Sequence, residues 1–205
     1  MKTTIQKKAI VIVIAFLTIL AFTLSSCQKE QTAQSGQTDQ ALQSTSAASQ
    51  AVAETNYAYL VGEEPIEGPD KTVASNGDTI TIHGEGTLSI HSKSVTGDGS
   101  FKHTNAAGTV LAKGTWTALG LNSFKSFGNS TDPTIPPNFE AGLAVIRIHL
   151  SPDGGGSGVD ALLQITCVLP GASAPPGFEE GVKVVIQNVI NFNKQVFGQT
   201  LFIRL

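Results

Sequence analysis

Between Thr79 and His91 the chain alternates strictly. Thr79, Thr81, His83, Glu85, Thr87, Ser89 and His91 are polar, and Ile80, Ile82, Gly84, Gly86, Leu88 and Ile90 fill the positions between them. Successive side chains of a β-strand point to opposite faces, so this pattern puts one face in a core and the other in water. The stretch reads as one long strand bent at its glycines, or as a hairpin turning at Gly84-Glu85-Gly86, because a three-residue loop preserves the parity.

The same alternation recurs to the end of the chain. Gly99–Thr104 and Thr109–Ala118 predict a hairpin around Asn105-Ala106-Ala107-Gly108, with Val110, Ala112, Gly114, Trp116 and Ala118 on one face. Leu121–Phe127 reads as a further short strand, and residues 128–140, with Pro133, Pro136 and Pro137, read as a long loop. Ala144–Leu150 and Val159–Leu169 are the most apolar strands, and Val182–Ile190 and Val196–Leu205 complete the set. Tyr57, Tyr59, Leu60 and Val61 predict a first short strand, followed by loop signals at Pro65, Gly68-Pro69 and Asn76-Gly77. Eight or nine strands with turns about every ten residues predict an all-β antiparallel domain over residues 57–205, either an up-and-down barrel or a β-sandwich. A content of 21 Gly and only 14% charged residues fits sheet with glycine turns better than helices.

The N-terminus has a different grammar. Lys2, Lys7 and Lys8 precede the uncharged run AIVIVIAFLTILAFTL, and small Ser25 and Ser26 then lead to Cys27. Cationic, apolar and small-residue segments in that order read as an export signal. Leu24-Ser25-Ser26-Cys27 resembles the lipobox of bacterial lipoproteins. The resemblance covers about the first thirty residues, and it implies removal of residues 1–26 and diacylglycerol on the Cys27 sulfur. Membrane attachment through that lipid, in the cell envelope, is what it implies for location. Residue 28 is Gln rather than Asp, so the inner-membrane retention signal of the enteric lipoproteins is not matched and the outer membrane or cell surface is favoured. An uncleaved membrane anchor is the alternative, although the run falls short of the roughly 20 residues that span a bilayer. Residues 27–56 are mostly Gln, Ser, Thr and Ala. With little to bury, such a segment cannot offset its ordering entropy and is expected to be a disordered tether.

Charge narrows the partners. Three of the 13 Lys and Arg residues lie in the expected signal segment, so the remaining chain is more acidic than the overall net charge of −3. No basic block is left for nucleic acid. Of the two cysteines, Cys27 is committed to lipid by the resemblance, which leaves Cys167 without a disulfide partner and on an apolar face, as a core thiol.

Candidate chemistry is sparse. His83 and His91 cannot share a metal ion, since even the hairpin reading separates them by ~14 Å, and no cofactor motif is present. The best cluster comes from strand register. If Ile146, Ile148 and Leu150 share a face with Ala161, Leu163, Ile165 and Cys167, then His149 lies opposite Asp160 and Arg147 opposite Leu162. Arg147, His149, Asp160, Gln164 and Thr166 then form one polar face. Lining a barrel interior, His149, Asp160 and Arg147 could serve an isomerase or hydrolase, with Arg147 and Gln164 holding an anionic ligand; on the outside they would be a solvated surface. Gly155-Gly156-Ser157-Gly158-Val159-Asp160 matches one unit of the calcium-binding β-roll repeat, but without a second copy it reads as a flexible hairpin loop. Gly114-Thr115-Trp116 has the form of the lipocalin G-x-W, but it stands mid-chain rather than on the first strand, so Trp116 reads as a core anchor. Glu179 and Glu180 are adjacent and therefore point apart, a poor acid–base pair.

Three functions remain. The favoured one is a lipid-anchored envelope protein whose β-domain binds a small ligand or another envelope protein without catalysis. The alternatives are the barrel enzyme just described and a structural or adhesive surface module.

Overall fold

The computed structural model describes residues 54–205, so the expected signal segment, Cys27 and the tether up to residue 53 lie outside the described residues. Ten strands form, β1 (Asn56–Val61), β2 (Asp70–Ala74), β3 (Thr79–Ser89), β4 (Ser94–Thr104), β5 (Val110–Asn129), β6 (Phe139–Pro152), β7 (Val159–Cys167), β8 (Gly181–Ile186), β9 (Ile190–Phe197) and β10 (Thr200–Arg204). All pairings are antiparallel, in the order β1-β10-β6-β5-β4-β3-β2-β9-β8-β7, with β1–β3 and β6–β7 as additional pairs.

This topology is ring-like without being a regular barrel. One edge of β3 is shared, with β2 on Thr79–Ile82 and β1 on Gly84–Ser89. One edge of β6 is shared in the same way, with β10 on Phe139 and Glu140 and β7 on Gly142–Leu150. Two arms, β1–β10 and β2–β9–β8–β7, therefore leave β3 and return to β6. Every strand has a hydrogen-bonded neighbour on each side along at least part of its length.

The period-two segment is a single strand, and its glycines are not a hairpin turn; the chain reverses later, at residues 90–93. Their role comes from packing. Gly84 faces Gly99 across the β3–β4 ladder, and Gly86 faces Gly97. A Cβ on Gly84 would lie 2.5 Å from Cζ2 of Trp116, and one on Gly99 would lie 2.6 Å from its Nε1. A Cβ on Gly97 would lie 2.2 Å from the Tyr59 hydroxyl oxygen. The two glycine pairs are thus slots into which fully buried Trp116 and Tyr59 fit. Their polar tips are satisfied, since Trp116 Nε1 donates to the His83 carbonyl at 2.9 Å and Tyr59 donates to the Thr96 carbonyl at 3.0 Å. Ile80, Ile82, Ile146, Ile148, Leu163, Ile165, Val184 and Phe192 fill the rest of the interior.

Five expectations are corrected. The strands expected at 109–118 and 121–127 are one strand, β5, which carries register shifts between Ala118 and Gly120, Leu121 and Ser123, and Ser126 and Gly128. Each bulge adds a residue and flips the parity, so Trp116, Leu121 and Phe127 are all buried although no single alternation connects them. The strand expected at 182–190 ends at Ile186 and turns at Asn188, whose φ is +60°. The one expected at 196–205 is broken at Gly198, with φ +104°, into the end of β9 and β10. Finally, β2 forms where only loop signals were read, and β1 begins at Asn56, inside the expected tether.

A Gly97→Ala variant must displace the Tyr59 ring and hold alanine at φ +147°. It should lose at least ~2 kcal/mol of stability in denaturant unfolding, whereas alanine at Gly156, where a Cβ meets nothing within 4 Å, should cost little.

Candidate functional site

The expected β6–β7 register forms. His149 pairs with Asp160, Arg147 with Leu162 and Val145 with Gln164. His149 Nδ1 donates to Asp160 Oδ1 at 2.7 Å, and Gln164 Nε2 donates to Thr166 Oγ1 at 3.3 Å. Ile148 and Leu150 beside them are core residues, so alternation turns Arg147 and His149 outward. The interior is filled by apolar side chains and these residues do not line it; the condition set for acid–base chemistry there, a lined lumen, is not met. Of the five polar residues expected together, Thr166 departs most, being 2% exposed.

What this outer face offers is a groove of about 330 Å³ lined by Arg147, Asp160, Ala161, Leu162, Val185 and Gln187. Leu162 pairs with Val185 of β8, so the row Arg147–Leu162–Val185 runs across three strands. On its other side Arg147 faces Gly120 of β5, where a Cβ would lie 3.9 Å from Nη2. Among the described residues Arg147 has no ion-pair partner. The His149 ring is committed elsewhere: Nδ1 holds Asp160, and Nε2 lies so close to Gly158 that a Cβ there would be 2.1 Å away. Among the described residues no serine, threonine or cysteine is hydrogen-bonded to it. The glycine-rich loop thus seats His149 as a support for Asp160.

Other candidates from the sequence fall as follows. Trp116 is a core anchor and Cys167 a buried free thiol, its pKa pushed up to about 12 by burial first and then by the charge of Glu180. Glu179 is exposed, whereas Glu180 turns in. Among the described residues, no group of three His, Cys, Asp or Glu side chains is arranged to hold a metal ion.

Two polar clusters have no counterpart in the sequence reading. The first is interior. Asp70, at the start of β2, is 0% exposed; Oδ1 accepts from Gln195 Nε2 at 2.9 Å, and Oδ2 has no partner. Burial raises its pKa to about 7, the donated Gln195 bond opposes this, and the charge of Glu180 adds to it. Glu180, also raised by burial, accepts from the Thr200 amide at 2.7 Å, from Thr200 Oγ1 at 3.0 Å and from the Val168 amide. Only Gly-Pro-Asp, a turn signal, marks Asp70 in the sequence.

The second cluster is on the outer face of β3 and β4. His83 lies opposite Ser100 and accepts its hydroxyl at Nε2, 2.5 Å away, while Nδ1 donates to Glu63 Oε1. His91, expected on the same strand, lies in the turn beyond it, its amide bonded to Glu54. Placing the β3–β4 turn at 90–93 would have revealed the His83–Ser100 pair; nothing local marks Glu63.

No family model, no curated protein and no solved structure matches this chain. The reading of the site therefore rests on its geometry.

The Asp70 carboxyl gives a pH test. Its folded pKa lies above its unfolded value of 3.8, so the stability it carries is fully present below about pH 4 and is lost as pH rises through about 7. Asp70→Asn should remove most of that decline, giving a melting temperature at pH 8 above the wild type and near-equality at pH 4, as read by thermal unfolding across that range.

Proposed function

We propose that this chain is a lipid-anchored protein of the bacterial cell envelope, held through Cys27, whose β-domain binds a small anionic ligand in the Arg147 groove without transforming it. The observation that carries the binding site is the guanidinium of Arg147, without an ion-pair partner among the described residues, beside an apolar floor of Leu162 and Val185. A guanidinium presents a planar fork of donors that fits carboxylate or phosphate oxygens two at a time. Leu162 and Val185 offer apolar contact to the body of the ligand, and Asp160, steadied by His149, accepts from a hydroxyl. The groove's lining holds no serine, threonine, cysteine or lysine, and its one carboxylate, Asp160, is bonded to His149, which favours binding over turnover at this place.

The anchor rests on the lipobox-like sequence Leu24-Ser25-Ser26-Cys27. Two or three acyl chains hold a protein stably where one exchanges, at about 0.8 kcal/mol per buried CH₂. In cells fed radioactive palmitate, the wild-type chain should take up label and lose its first 26 residues, and Cys27→Ser should do neither. Recovery of an unprocessed, lipid-free wild-type precursor would refute the anchor.

For the groove, the full chain in detergent should be stabilised in thermal-shift assays by sugar phosphates or hexuronates. Arg147→Ala should abolish the shift and Arg147→Lys should retain part of it. Absence of any shift with either ligand class, or an equal shift in Arg147→Ala, would remove the binding reading.

A further inference from the structure

Ser100, His83 and Glu63 stand in a hydrogen-bonded series outside the Arg147 groove. The series has a direction. With Glu63 accepting from Nδ1, the imidazole presents Nε2 as an acceptor, and the Ser100 hydroxyl donates to it at 2.5 Å. A nucleophile, a base and a carboxylate that fixes the tautomer of the base are thus joined in the order that activates a serine.

Three features of the fold place them. The β3–β4 register sets His83 directly opposite Ser100. His83 also sits at the fork where β3 changes partner, between Ile82, the last residue paired with β2, and Gly84, the first paired with β1. The chain joining β1 to β2 crosses this fork and brings Glu63 to it. Beneath, Trp116 donates to the His83 carbonyl and fixes the β3 backbone. A cavity of about 370 Å³ opens above, lined by Thr81, His83, Ser100, Lys102, Lys113 and Asp153, among others. Lys102 and Lys113 face one another across β4 and β5. Like charges directly opposite are destabilising, and among the described residues neither lysine has an ion-pair partner. That juxtaposition suits an anion between them.

We propose that Ser100, His83 and Glu63 form a hydrolytic triad for carboxylic esters that carry a negative charge. Ser100 Oγ adds to the ester carbonyl carbon while its proton passes to His83 Nε2. The carbonyl oxygen becomes the oxyanion of a tetrahedral adduct, while Lys102 and Lys113 hold the substrate's own anionic group. Collapse breaks the bond to the leaving alkoxide, which departs as an alcohol with the proton from His83, and the acyl group stays on Ser100. Water then adds to the acyl carbon, giving its proton to His83, and the carboxylic acid leaves as Ser100 recovers that proton. Glu63 is a positioning residue, holding the imidazole in the reactive tautomer.

The test uses the full chain in detergent with p-nitrophenyl butyrate and the charged ester mono-p-nitrophenyl adipate. Turnover is expected, with the charged ester preferred about tenfold in kcat/KM, and a fluorophosphonate probe should label Ser100 in peptide mass mapping. Ser100→Ala should lower kcat at least ~100-fold. Glu63→Gln should lower kcat about tenfold or more with KM unchanged, and a Lys102→Ala/Lys113→Ala pair should raise KM for the charged ester alone. His91→Ala, at an exposed turn histidine, should change nothing, which separates the triad from hydrolysis by surface imidazole. If Ser100→Ala fails to fold by Trp116 emission, Glu63→Gln and the labelling site decide. An unlabelled Ser100, or hydrolysis that survives both Ser100→Ala and Glu63→Gln, would overturn the proposal.

Discussion

The packing of two aromatic rings onto two pairs of facing glycines governs this domain. Trp116 and Tyr59 come from β5 and β1, and both lie against the β3–β4 ladder at Gly84–Gly99 and Gly86–Gly97. Side chains of this size bury 150–250 Å² each, which at about 25 cal/mol per Å² is ~4–6 kcal/mol apiece before entropy is subtracted. Any side chain at the slot glycines would lift the rings. The hydrogen bonds of the two rings end on the His83 and Thr96 carbonyls, so the packing also sets the backbone of β3 and β4. That is how the interior reaches the outer surface: the strand that holds the tryptophan slot also presents His83 to water.

Where the sheet divides, polar groups take over from the ladder. A strand that changes partners leaves amides and carbonyls without a regular mate, and buried ones need another. Glu180 supplies acceptors to the Val168 and Thr200 amides at the ends of β7 and β10. Glu140, on β6 near its own fork, is 1% exposed and takes bonds from Tyr57 and Arg204. Asp70 differs in keeping one oxygen unmatched, and its burial makes it hold its proton more tightly than a surface carboxylate does.

The parts of this architecture visible in the sequence are those governed by period two. The β3 face of Ile80, Ile82 and Leu88 is buried as the alternation requires, and the β6–β7 register follows from matching two apolar faces. What was hidden has physical causes. The three bulges of β5 erase its alternation, and parity loss looks the same as a strand end. The turn at Asn188 and the break at Gly198 interrupt runs whose apolar content alone suggests continuity. The polar face of Arg147 and His149 was legible as a set, but its outward direction depends on which face closes the ring. Glu63, His83 and Ser100 meet only through a ladder register and a strand fork, neither of which leaves a local mark.

One feature of β1 bears on mechanics. This strand is the first described element after the N-terminal segment, and it is hydrogen-bonded along its length to β3 on one side and to the C-terminal strand β10 on the other. A pull arriving through Glu54 would run parallel to both ladders, loading their hydrogen bonds together in shear instead of unzipping them singly. Tension on the N-terminal segment would thus be shared by the β1–β3 and β1–β10 ladders at once, and β1 would resist being peeled from the sheet in that direction.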